Sequence, residues 1–347
     1  MGPRVWRSIA LLLFLHVTVT VAGEGDRLPP LPDKEGFAGP FAGVSNGVLV
    51  VAGGANFPDK RPWDGGKKVW SDAVFVLDKP DGKWAVGGKL PRPLGYGVSV
   101  THGGGVVCVG GSDAARHHAD AFRLDWRDGR LTTTKLPPLP KSLANGSGAL
   151  VGDTLYVAGG QTTPDSSPSK AAWRLDLSAK EPKWEGIDDC PGAGRMLAVA
   201  AGFDGSFWLV GGVDLVTGTG EKVERRYLTD AYRFTPDTGW KRVADLPRPV
   251  AAAPSPAPSD PSGFYLLGGD DGSQVGVAPD RHRGFGKSVL RYDPKATKWV
   301  EAGEVAAARV TVPCVAWGRS WVIPSGEVRP GVRSPDVTTF LPPAKKE

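Results

Sequence analysis

The residues best suited to chemistry lie near the end of the chain. Glu327 and Arg333 stand six positions apart in Gly326-Glu-Val-Arg-Pro-Gly-Val-Arg333, directly after the apolar run Trp321-Val-Ile-Pro-Ser325. A lone carboxylate beside a small-residue turn can take and return a proton, which is the work of a general base. A guanidinium close by can hold an anion at two points, because its planar fork matches a carboxylate. The pair therefore suits proton transfer on an acidic substrate. A structural role also fits: Glu327 could bridge Arg329 or Arg333, or cap the loop backbone.

The elements that must position this pair are repeats. Five apolar runs end in a glycine doublet, with the second glycine at Gly54, Gly111, Gly160, Gly212 and Gly269. The gaps are 57, 49, 52 and 57 residues, and another 57 reaches Gly326, where the doublet has become Ser325-Gly326. Each unit continues with a variable loop, a second strand such as Ala121-Phe-Arg-Leu-Asp125, and in most units a Trp that opens a further strand: Trp84, Trp184, Trp240 and Trp299. A Leu-Pro turn then leads to the next apolar strand. A period near 50 with a glycine doublet and fixed aromatics resembles the kelch repeat. Six four-stranded units of this kind predict an all-β, six-bladed β-propeller. The Trp residues are expected to wedge between blades, as large buried aromatics do.

The sixth unit ends at Asp336-Val-Thr-Thr-Phe340 with no Trp strand after it. The stretch from Asp26 to Pro32, a short strand and a Leu-Pro turn, is expected to supply that outer strand. It would close the ring and remove an exposed edge. In such a ring the loops after the glycine doublets share one face with the Leu-Pro turns. Three of those loops are long, at Ala55–Ser71, Val213–Thr229 and Asp270–Lys287, and function concentrates on long loops of rigid scaffolds. The turns carry cations in five units: Arg92, Lys141, Arg195, Arg248 and Arg309. Either these ring the axial mouth and attract an anion, or they brace loops. The expectation taken to the structure is that Arg92, Arg195 and Arg309 bind substrate.

Composition bounds the rest. The 347 residues hold 48 Gly, 32 Pro and 12 Trp, in keeping with many short strands and tight turns, and no window shows long helical periodicity. Arg4 and Arg7 precede an apolar run from Ile9 to Ala22, and Thr20-Val-Ala22 offers small residues for cleavage. That run of about 14 residues is short of the ~20 that span a bilayer, so residues 1–22 read as a secretory signal, residues 23–347 as a single propeller domain, and the location as periplasmic or secreted. Without 1–22 the chain has 40 basic against 37 acidic residues, +3, and no basic run that would suit nucleic acid. Three cysteines are too few for a disulfide framework, and Cys108 and Cys314 sit in apolar strands. His102, His117, His118 and His282 lack the spacing of a metal set. No Gly-x-Ser-x-Gly elbow occurs. Asn145-Gly-Ser147 matches a glycosylation sequon.

One family fits beyond the generic kelch pattern. Gly36-Phe-Ala-Gly-Pro-Phe-Ala-Gly-Val-Ser-Asn-Gly47, the following Val48-Leu-Val-Val-Ala-Gly-Gly-Ala-Asn-Phe-Pro-Asp59, Arg92-Pro-Leu-Gly-Tyr-Gly-Val-Ser99 and the 326–333 segment together resemble bacterial N-acetylneuraminate epimerase, the sialic acid mutarotase. The blade order is rotated relative to familiar members, so the chain resembles a cyclically permuted branch. The resemblance implies a cofactor-free isomerase in which Glu327 is the proton acceptor and Arg333 its partner. It also implies contacts from Asn56 and the turn arginines to an acidic sugar. A kelch module that binds glycan or protein without catalysis is the alternative.

Overall fold

The computed structural model describes residues 28–342. Six antiparallel sheets follow one another along the chain, at residues 41–89, 98–136, 144–187, 199–242, 259–304 and 315–340. The first five have four strands each. The sixth has three among the described residues: Val315–Trp317, Ser320–Pro324 and Val337–Phe340. Six buried apolar clusters lie between neighbouring sheets, one for each interface. This is a closed six-bladed propeller, as expected, with its core distributed as six wedges.

The wedges are made by the alternating apolar positions of the strands and by the tryptophans. Trp184, Trp240 and Trp299 each donate the indole N–H to a backbone carbonyl just past the outer strand of the preceding blade, at Pro137, Asp188 and Ala244. The polar tip of each ring is thus satisfied while its body packs. Cys108, Cys190 and Cys314 are buried free thiols in these wedges.

The same two bonds recur where the ring closes. Trp84 donates to the Pro29 carbonyl at 2.8 Å. Leu31 N–H reaches the Pro335 carbonyl at 2.8 Å, the counterpart of Leu90 to Asp72, Leu139 to Ala119, Cys190 to Lys170, Leu246 to Thr229 and Val305 to Lys287, all 2.7–2.9 Å. Leu28 and Leu31 are buried in the wedge between the sixth and first blades. Residues 28–31 therefore occupy the exit of the sixth blade's outer strand. They carry no ladder pairing of their own, and the rest of the expected strand, Asp26 and Arg27, falls outside the described residues, as do residues 1–22.

Around the axis the six turns form a hydrogen-bonded ring. Gly39 N–H donates to Thr311 O, Tyr96 to Gly39, Asn145 to Tyr96, Leu197 to Asn145, Ala252 to Leu197 and Thr311 to Ala252, all at 2.7–2.9 Å. Every residue of this ring has φ between 55° and 63°. Five of the six are not glycine, although this left-handed region suits glycine best.

The doublets knit neighbouring blades. The second glycine donates to the next turn, as in Gly54 to Leu94, Gly111 to Leu143, Gly160 to Arg195, Gly212 to Val250, and Gly326 to Phe37 at the seam. At the seam Ser325 replaces the first glycine at φ 78° and is fully buried. Its hydroxyl accepts Phe37 N–H at 2.7 Å and has the Ser334 and Phe37 carbonyls at 2.6 and 3.0 Å.

Two outcomes follow. Ser325→Ala keeps the left-handed strain and strands the buried Phe37 N–H, so urea unfolding should show a loss of about 1–3 kcal/mol. Removal of residues through 35 empties the Leu28 and Leu31 sites and unpairs Trp84 and Pro335. Thermal melting should then show an early, broadened transition of the whole ring.

Candidate active site

The sequence from Glu327 to Arg333 folds as a two-stranded hairpin of Glu327–Arg329 and Val332–Arg333. Pro330 and Gly331 make the turn, with Gly331 at φ 77°, a pairing that suits a type II turn. Glu327 and Arg333 are directly opposed across it. Their spacing of six is thus the spacing of a cross-strand pair. Two backbone bonds to Val310, 3.0 and 3.1 Å, fix Glu327 against the preceding turn.

The Glu327 Oε1 lies 2.9 Å from Arg333 Nη1. That nitrogen nevertheless has no hydrogen-bond partner, so the contact is an ion pair whose N–H direction misses the oxygen. Glu327 Oε2 faces the Thr311 hydroxyl at 3.5 Å. Arg333 is only 6% exposed. Its Nε donates to Ala55 O at 3.3 Å, its Nη2 to Tyr96 Oη at 3.4 Å, and its guanidinium lies 4.7 Å over the Phe57 ring. Trp70 packs edge-on to Tyr96, and Lys68 Nζ sits 5.0 Å from the Tyr96 ring centre. Tyr96 and Thr311 line a pocket at the axial ring, together with Gly39, Asn145, Leu197 and Ala252. The arrangement offers a carboxylate base and a buried cation, joined through Thr311 and Tyr96 to a pocket that those two residues line.

The structure separates the other expected residues from this group. Asn56 is buried and donates to Asp33 Oδ1 at 3.2 Å, bracing the first-blade loop one residue from Ala55. Arg195 has no exposed surface. It grips Asp230 at 2.9 and 3.1 Å and stacks on Tyr232, so no ligand can reach it. Arg309, also buried, binds Asp336 at 3.1 Å and Ser334 Oγ at 3.3 Å. Arg92 lies 3.4 Å from Asp120 and 3.2 Å from His118 Nδ1, and Arg248 donates to Ser288 O at 2.8 Å. For Arg92, Arg195 and Arg309 the acidic partner, Asp120, Asp230 or Asp336, is the residue just before the blade's third strand, whereas Ser288 lies within it. Arg195 and Arg309 are therefore buried braces within their blades, against the expectation that they bind substrate, while Arg92 is paired to Asp120 but keeps 42% of its side chain exposed. Lys141 is exposed. Asn145 belongs to the axial ring and donates to Gln161 Oε1 at 3.4 Å, so it is placed as pocket lining and not on an open loop tip.

Tyr96, Thr311 and the other ring residues escaped the sequence reading because they share no residue type. Their signal is positional: Tyr96, Asn145, Leu197 and Thr311 each lie fifteen places before the second glycine of their doublet.

A buried charge network borders the mouth at the second blade. His118 Nε2 is 2.7 Å from Asp113 Oδ2. Burial pushes the Asp113 carboxyl up, but N–H groups of Ala115 and Arg116 and the His118 ring outweigh it and bring it from 3.8 down to about 2. The folded form thus holds its proton less well than the unfolded chain does. The resulting stability is complete above about pH 4 and is lost as pH falls toward 2. Urea midpoints measured between pH 5 and 2 should fall more steeply for the natural chain than for Asp113→Asn.

Comparison with known proteins gives a consistent picture. The family model for N-acetylneuraminate epimerase matches residues 27–133 and 136–276. The N-acetylneuraminate epimerase of Salmonella enteritidis PT4 is 41% identical over 121 residues, 31% of each chain. That of Haemophilus influenzae strain 86-028NP is 29% identical over 225 residues, 57% of each. The chain thus spans from just under a third to just over half of the length of these curated relatives. The solved structure of YjhT shares the fold, with a TM-score of 0.67 at 16% identity, over 90% of this chain and 97% of that one.

Proposed function

The chain belongs to the N-acetylneuraminate epimerase family, and from that premise we propose that it interconverts the anomers of N-acetylneuraminate, or of a related acidic sugar, by opening and closing the sugar ring. The observation that carries the reading is the Glu327–Arg333 pair, 2.9 Å apart beside the axial pocket. Both residues lie beyond the stretches matched by the family model, so their roles rest on this geometry and on the motif around them.

In this reading the Glu327 carboxylate takes the proton of the anomeric hydroxyl. The carbon–oxygen ring bond breaks and a carbonyl forms. The carbonyl turns its other face, the ring oxygen adds again, and Glu327 returns the proton. Arg333, paired with Glu327 at 2.9 Å, fixes the base and places a positive charge behind it, which favours an acidic sugar and keeps the open chain oriented for closure. The reaction also runs without catalyst in water, so general acid–base help of about 10²–10⁴-fold suffices. A module that only binds would have no use for a carboxylate facing an anionic ligand, and this disfavours the alternative. The blade order read from the sequence and export through residues 1–22 to the periplasm or beyond belong to the same proposal.

The test is proton NMR of a freshly released single anomer of N-acetylneuraminate, with and without protein. The natural chain should speed equilibration, and Glu327→Gln should slow it by about 10²-fold or more. Unchanged rates in Glu327→Gln would remove the base. No acceleration by the natural chain would remove the activity.

A further inference from the structure

Ring opening needs two proton movements, and Glu327 accounts for one. As the ring bond breaks, its electron pair goes to the ring oxygen, which must gain a proton. We propose that Tyr96 gives that proton, acting as the acid partner of Glu327. The inference rests on the mutarotase reading and deepens it.

Three observations converge on Tyr96. The first is its hydrogen bonding. Arg333 Nη2 donates to the Tyr96 oxygen at 3.4 Å. A guanidinium has only donors, so the phenolic hydrogen cannot point back at it and is free for another acceptor. The second is charge. When the proton leaves, negative charge forms on an oxygen beside Arg333, on a ring that has Lys68 Nζ 5.0 Å from its centre. Cations fixed where charge develops stabilise the transition state. The third is space. Of the six axial ring residues, Tyr96 alone is ionisable, and its neighbour in the ring is Gly39. A Cβ at Gly39 would lie 2.7 Å from Tyr96 Cδ1 and 2.8 Å from its backbone N, so the glycine leaves room for this side chain.

The substrate gives the reason for the arrangement. The anomeric carbon of a 2-keto sugar acid bears a carboxylate, a hydroxyl and the ring oxygen. Glu327 and Tyr96 flank the two amino ends of one guanidinium, at Nη1 and Nη2. A sugar drawn by the Arg333 charge and seated against the partly exposed Glu327 and Tyr96 would present its hydroxyl to the one and its ring oxygen to the other. Opening moves one proton from hydroxyl to Glu327 and one from Tyr96 to the ring oxygen. Closure on the other carbonyl face reverses both, and the protein ends unchanged.

The experiment compares kcat and KM of the natural chain, Tyr96→Phe and Glu327→Gln in the anomer assay near neutral pH, with the uncatalysed rate subtracted. Tyr96→Phe keeps the ring in place and should lower kcat by about 10²-fold with KM within about twofold, which a packing defect would not do. A Tyr96→Phe rate within about threefold of the natural chain, or a loss that falls on KM and not on kcat, overturns the assignment of Tyr96 and leaves the mutarotase reading intact. A natural chain without activity removes both together.

Discussion

The constraint on which the structure depends is the closed circle of six backbone hydrogen bonds at the axis. It adds little net energy. Each bond contributes about 1 kcal/mol, and each non-glycine residue in a left-handed conformation costs about 1–2 kcal/mol. At Tyr96, Asn145, Leu197, Ala252 and Thr311 the two nearly cancel. The favourable free energy lies in the six apolar wedges. The circle instead fixes geometry. A blade that shifted would leave a donor and an acceptor unpaired on either side of it, and unpaired buried groups cost more than paired ones return. The backbone of every residue facing the axial pocket is thereby held in place.

That rigidity matters most at the sixth blade. Arg333 is almost fully buried, and a buried guanidinium without counter-charge is very costly. Glu327 supplies the charge but leaves Nη1 without a directed bond. The Ala55 carbonyl and Tyr96 oxygen take two other N–H groups, and the Phe57 face covers the plane. These contacts come from the first and second blades. The hairpin supplies the proposed pair, while the seam with the first blade encloses its guanidinium. The Ser325 hydroxyl, which joins the hairpin's base to Phe37, belongs to the same function: where other blades need only a glycine, this one also needs a fastening.

The fold was legible because glycine doublets and Trp strands impose residue types. A first glycine packs against the next blade's carbonyl, as Gly53 does against Leu94, and few other residues fit. The Glu327–Arg333 pair was legible because a Pro-Gly turn fixes the spacing of residues across a hairpin. The axial circle was not, since backbone groups make it and its side chains are free to differ. The turn cations misled for a physical reason. An arginine in a repeat signals a charge partner, and that partner can be protein. Asp120, Asp230 and Asp336, each just before a third strand, were in the sequence to be paired with Arg92, Arg195 and Arg309.

The seam shows how evenly the ring is closed. The bond from Leu31 to Pro335 joins residues from opposite ends of the chain, yet it matches in length the five equivalents made within a continuous stretch. The ring does not register where the chain is interrupted, and blade order along the sequence is separable from blade order in space. In such a ring the site is best located by position relative to the axial circle. By that measure Glu327, Thr311 and Tyr96 are neighbours whichever blade comes first.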